Sequence, residues 1–170
     1  MGTVRRNLSP VSEQAPKGGS REHTTASVQV QASVEDCYAV GIDIDAYPQW
    51  VENLESAEVL TRDDQGLPLT ARFEAAGLGR MSSYVLGYDH SGAPHALAWN
   101  LVQGDLTREI EGRYVFHDMT EDGGPSTTEV DYELTIDLAV PLPGFVKRRA
   151  EDKIVKAALQ RFKQQVEARP

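Results

Sequence analysis

The chain has 170 residues, 40% of them hydrophobic, with a formal net charge of −9 and a single cysteine. That length gives one domain with a sizeable core, and the acidity opposes any nucleic-acid partner. Cys37, alone, rules out an internal disulfide, and no apolar run reaches the roughly 18 residues a membrane span needs, so a cytoplasmic protein is expected.

Residues 1–22 (MGTVRRNLSPVSEQAPKGGSRE) are rich in Gly, Pro, Ser, Gln and charge and carry no hydrophobic period. They read as a disordered N-terminal arm preceding a single domain over 23–170. From residue 24 the text alternates, with Ala26, Val28, Val30 and Ala32 against Thr25, Ser27, Gln29 and Gln31, which is a half-buried strand. Ser33 with Asp36 three residues on makes a capping box, so a short helix follows with Val34, Cys37, Tyr38 and Ile42 inward. Asp45-Ala46-Tyr47-Pro48 breaks it, and Pro48 suits the first turn of a second short helix.

Six strands come next, at 55–62, 68–76, 80–89, 95–104, 107–118 and 127–140, divided by turn-forming stretches such as 63–66 and 121–125. Short connections make consecutive strands antiparallel. The last element is one long amphipathic helix over 143–169, with Ile154, Val155, Ala158, Leu159, Phe162 and Val166 at helical spacing. Its charge is opposite to that of the body. Residues 143–170 hold eight Lys or Arg against three acids (+5), residues 23–142 five against 21 (−16), and residues 1–22 four against two (+2), which sum to −9. A basic face seated on an acidic body is one reading of this asymmetry, and peripheral contact with anionic lipid is the other.

Alternation also assigns an inner face. It carries Leu69, Ala71, Phe73 and Ala75; Tyr84, Leu86 and Tyr88; Leu97, Trp99 and Leu101; Ile110, Gly112, Tyr114 and Phe116; and Val130, Tyr132, Leu134, Ile136 and Leu138. So many aromatics with a polar tip fit the wall of a cavity better than a dry core.

The order of strand, two helices, six strands and long helix resembles the helix-grip superfamily, the SRPBCC or START-like group, over about residues 24–168. Tyr47-Pro48-Gln49-Trp50, Tyr84-Val85-Leu86, Ala98-Trp99-Asn100-Leu101-Val102, Gly112 before Tyr114 and Phe116, Thr127-Thr128-Glu129-Val130 and Leu142-Pro143-Gly144-Phe145-Val146-Lys147 point to its polyketide cyclase/dehydrase-like branch. The resemblance implies an α+β fold in which a seven-stranded curved antiparallel sheet grips the C-terminal helix. It also implies an apolar ligand cavity between them. Combined with the inner-face parity, the expected lining is Phe73, Tyr84, Leu86, Trp99, Leu101, Tyr114, Phe116, Tyr132 and Leu134 from the strands, with Ile154 and Ala158 from the helix.

No catalytic or metal-binding motif accompanies this pattern: C-x-x-C, H-E-x-x-H, G-x-S-x-G and a phosphate loop are all missing, and no cofactor is expected. Acid/base candidates are Tyr84, Tyr114 and Tyr132, with Arg113 or Glu109 only if the register slips by one. His23, His90, His95 and His117 fall at strand ends or turns and read as solvated. Asp43 and Asp45 read as a polar helix terminus. Three functions remain open: a carrier or sensor of a lipid or polyketide-like hydrophobic molecule, which is preferred; an aromatase/cyclase on a polyketide-like substrate; and a module docking on a membrane or protein through the basic helix. Edge strands allow a monomer or a dimer.

Overall fold

The structure, a computed structural model, describes residues 24–77, 79–139 and 142–170. The arm expected over 1–22, and His23, lie outside them. In chain order the elements are β1 (Thr24–Val30), α1 (Val34–Ile42), a 3-10 helix (Ile44–Gln49), β2 (Leu54–Arg62), β3 (Pro68–Gly77), β4 (Arg80–Asp89), β5 (Ala96–Gly104), β6 (Thr107–Asp118), β7 (Thr128–Leu138) and α2 (Gly144–Glu167). The strands form one antiparallel sheet in the order β1-β7-β6-β5-β4-β3-β2. This is the helix-grip architecture that the element order implies.

Local chemistry sets these boundaries. The Ser33 hydroxyl accepts from the Asp36 amide at 3.1 Å, so α1 starts at its capping box. The second helix does not begin at Pro48 as expected; it is a 3-10 helix starting at Ile44, with Pro48 inside it. Bonds from the Ala46 amide to the Asp43 carbonyl (3.2 Å) and from the Trp50 amide to the Tyr47 carbonyl (3.0 Å) follow the tighter i to i+3 pattern, in which a short element tolerates the amide that proline lacks. The tight turn brings the Tyr47 hydroxyl back to donate to the Gly41 carbonyl.

In β6, Ile110, Gly112, Tyr114 and Phe116 are buried while Glu111 and Arg113 are not, so the period-two pattern holds from Ile110 on; before the irregularity between Thr107 and Glu109 it is shifted by one, with Thr107 buried and Arg108 exposed. Leu69, expected inward, is exposed beside the register irregularities between Val59 and Arg62 of β2. Twenty-four residues make α2 about 36 Å long. Its buried stripe is Glu151, Val155, Leu159, Phe162 and Val166, and it packs along β1, β7 and α1.

Ion pairs and hydrogen bonds fix the helix's rotation. Lys163 Nζ donates to the Gln29 carbonyl (2.6 Å) and Glu167 accepts from the Gln31 amide (2.9 Å), so this flank faces β1. Arg161 pairs with Glu52 (3.8 Å) from the opposite flank, which therefore faces the β2 side. Ile154 and Ala158 share that second flank, being seven and three residues before Arg161. The sealed core lies where α1 and the C-terminal half of α2 cover the sheet, with Val30, Cys37, Val40, Ile44, Leu97, Phe116, Val130 and Phe162 all essentially inaccessible.

Candidate ligand-binding site

From that core the concave face continues outward as a chain of rings. Tyr114 is central, with Tyr132 stacked at 4.8 Å, Phe162 at 4.9 Å, Trp99 at 5.2 Å and Phe116 at 5.9 Å between centroids. Trp99 reaches onward to Tyr132 (5.8 Å) and Tyr88 (6.3 Å). Phe73 bridges Tyr84 (5.5 Å) and Tyr47 (6.3 Å). The Trp99 indole lies flat enough on β6 that a Cβ on Gly112 would meet it at 2.2 Å, so only glycine fits beneath it. Contacts at these separations are ordinary for aromatic clusters.

What distinguishes the cluster is its polar ends. Among the described residues the hydroxyls of Tyr84, Tyr88, Tyr114 and Tyr132 have no hydrogen-bond partner, although Tyr114 is only 5% and Tyr132 only 7% exposed. The Trp50 indole N–H, where the 3-10 helix meets Phe162 of α2, is fully buried and also without a partner. The hydroxyl tips, unlike that N–H, are not sealed. Because these tips are open, they can donate to water or to an acceptor on a molecule that enters from outside.

Burial also fixes the protonation of these phenols. Desolvation pushes Tyr84 up to about 12, and it holds Tyr47, Tyr88, Tyr114 and Tyr132 well above the ordinary tyrosine value. For all of these except Tyr84, neighbouring phenols add to the rise, because each would have to ionise beside another. They are neutral donors, not bases. The one charged side chain buried among the described residues is Glu151 on α2, which is engaged within the protein. The described face is therefore apolar, rich in donors and free of buried cations.

Of the residues expected to line a cavity, Phe73, Leu86, Tyr114, Phe116, Tyr132 and Leu134 are buried on the concave face. Tyr84, Trp99, Leu101 and Ala158 are half-buried against it. Ile154 is 47% exposed, since the buried stripe runs through Glu151 and Val155 and leaves it on the flank shared with Arg161. Phe116 sits in the sealed core against Phe162. Tyr88, Tyr47 and Trp50 join the cluster although the sequence reading did not place them in the lining. Tyr88 shares its parity with Tyr84 and Leu86. Tyr47 and Trp50 lie outside the strands, where alternation is silent.

The other chemical candidates resolve into structural roles. The register holds at Arg113, which is on the convex face and donates to both Glu133 oxygens at 3.0 Å; it is irregular between Thr107 and Glu109, and Glu109 stands opposite Asp137. The histidines are better anchored than their positions suggest. His90 Nε2–H donates to the Pro68 carbonyl (2.6 Å), so in the neutral ring Nδ1 accepts from the Tyr38 hydroxyl (2.7 Å), tying α1 to the ends of β3 and β4. His95 lies 3.4 Å from the Phe116 carbonyl, and His117 pairs with Asp131 at 2.8 Å. Ser27 also bonds Asp131 (2.5 Å); the carboxylate, not the imidazole, stands between serine and histidine, so the serine is not activated.

Asp43 binds Arg169 (2.7 Å) and Asp45 lies 3.5 Å from Arg62, as expected of a polar helix terminus. Among the described residues no cluster of His, Cys, Asp or Glu could hold a metal, and no helix is long and apolar enough to cross a membrane. A shallow depression of about 300 Å³ opens beside Trp99 and Gly112, with Asp89, Glu111, Arg113 and Glu133 around it.

Comparison with known proteins agrees with this geometry. A START superfamily protein from Mycobacterium smegmatis superposes with a TM-score of 0.76 at 22% identity, over 85% of this chain and 97% of its own. A protein from Thermus thermophilus gives 0.68 at 21% identity, over 86% and 98%. The Zhui aromatase/cyclase from Streptomyces sp. R1128 gives 0.65 at 17%, over 86% and 93%. At these identities the likeness is one of fold. No curated protein matches in sequence. The family model described as polyketide cyclase/dehydrase and lipid transport, however, matches residues 30–163, and the chain belongs to that family.

Proposed function

We propose that the protein carries or senses a hydrophobic small molecule, held between the Ile154–Ala158 flank of α2 and the part of the concave face formed by β3, β4 and β5. The observation that carries this reading is the set of accessible phenol donors, Tyr84, Tyr88, Tyr114 and Tyr132, without a protein partner among the described residues on an otherwise apolar face. Burial of apolar area at about 25 cal/mol per Å² supplies the affinity, and the donors select for a ligand with carbonyl or ether oxygens. A fatty-acid carboxylate finds no buried cation among the described residues, so a neutral oxygenated molecule, polyketide-like or terpenoid, is the better fit.

The aromatase/cyclase reading has one observation in its favour, since several phenols on one face could polarise a ketone. Against it, phenols with raised pKa values make poor proton acceptors, and a cyclisation that removes a proton from carbon needs one. Native mass spectrometry of the protein as isolated, followed by thermal denaturation with flavone, progesterone and palmitate, tests the proposal. A retained mass of a few hundred daltons, or stabilisation that grows with flavone or progesterone concentration and not with palmitate, is expected. An empty protein stabilised by none of them contradicts it.

A further inference from the structure

The ion pairs divide the cations of α2 into two sets. Lys147 is bound to Asp137 (3.0 Å), Arg161 to Glu52, Lys163 to Gln29 and Glu167, and Arg169 to Asp43; Arg148 is engaged as well. Arg149, Lys153 and Lys156 have no partner among the described residues. Their spacing, i, i+4 and i+7, puts them on one face, turned away from the buried stripe at Val155, Leu159 and Phe162. The acidic body therefore does not neutralise the helix's basic face, whose one acid is Asp152. Beside these cations, in the helix's first turn, Phe145 is 66% and Val146 37% exposed.

From this we infer that the N-terminal half of α2 docks on an anionic lipid surface, with Arg149, Lys153 and Lys156 among the headgroups and Phe145 and Val146 at the acyl boundary. Charge decides between this and an acidic macromolecule. Residues 23–142 carry a net −16, so an acidic protein that touches more than the helix is repelled by the rest of the chain. A flat bilayer can be met by the outward face of the helix alone. The inference does not depend on whether a small molecule is held on the concave face.

Flotation of the full chain with vesicles of phosphatidylcholine alone, or with 30% phosphatidylglycerol, tests it. Binding to the anionic vesicles only, abolished by 0.5 M salt, is expected. At about a factor of five per cation, Arg149→Gln/Lys153→Gln/Lys156→Gln should lower the partition coefficient on the order of 100-fold. Phe145→Ser should lower it several-fold without changing the salt dependence. All four side chains are exposed, and an unchanged urea midpoint verifies that folding is intact. Equal or absent binding to the two vesicle types overturns the inference, as does a triple variant that binds like the wild type. So does self-association lost in the triple variant without any vesicle binding, which would assign the face to a second copy. Failure here leaves ligand stabilisation untouched, so the two proposals fail separately.

Discussion

The two halves of the concave face share one sheet and one alternation, yet they are covered differently. Beneath α1 and the C-terminal half of α2, Val30, Cys37, Leu97, Phe116, Val130 and Phe162 are sealed, and the Trp50 N–H at their margin is buried without a partner. Toward β3, β4 and β5 the inward residues Tyr84, Tyr88, Trp99 and Leu101 stay half-buried, and the tyrosine hydroxyls have no partner among the described residues. The difference comes from what covers the sheet. One half is a core that a domain of this size needs for stability, and the other leaves its phenol hydroxyls accessible.

The sharpest way to break this comparison is alkaline pH. All six tyrosines, those of the open half included, have folded-state pKa values raised first by burial. A raised acid keeps its proton in the folded chain while the unfolded chain ionises near 10. Their stabilisation is therefore complete below pH 10 and is lost as pH rises from there through the folded values. Each deeply buried phenol contributes a loss of up to about 1.4 kcal/mol per pH unit, so urea midpoints should be flat from about pH 8 to 9.5 and fall steeply above 10. A flat profile to pH 11.5 would mean that the phenols are hydrated.

Phe162→Ala tests the sealed half. It removes the ring that joins α2 to Tyr114, Phe116 and Trp50 and should cost about 3–5 kcal/mol in urea denaturation. Gly112→Ala sits at the boundary. It drives Trp99 off β6, for about 1–3 kcal/mol together with loss of ligand stabilisation. In the open half, Tyr132→Phe deletes one unpartnered hydroxyl; stability should change by less than about 1 kcal/mol while flavone affinity falls about tenfold, read by calorimetry. The smallest effect is expected for Ile154→Ser, within about 0.5 kcal/mol in stability, because the side chain is half-exposed.

Much of the fold was legible because one face of nearly every strand is buried, which prints a period of two into β6 and β7 and a helical period into α2. The 3-10 helix was not, since Pro48 signals a helix start and its true setting depends on Tyr47 packing inward against Trp50 and Phe73. The lining was legible in kind and incomplete in membership. Parity marks Tyr84, Tyr114 and Tyr132 as inward, but it does not say which half of the face a helix covers. That coverage is decided by long-range contacts such as Arg161 with Glu52 and Lys163 with Gln29, which local pattern does not encode. The same contacts explain why His90, a turn residue by position, is held between Tyr38 and Pro68.

The most direct test of a closed half and a receptive half is an NMR titration of tyrosine- and phenylalanine-ring-labelled protein with flavone and, separately, progesterone. The account predicts saturable shifts of Tyr84, Tyr88, Tyr114 and Tyr132, with Phe116 nearly still. Shifts confined to exposed rings such as Phe145, or none with either probe, would contradict it.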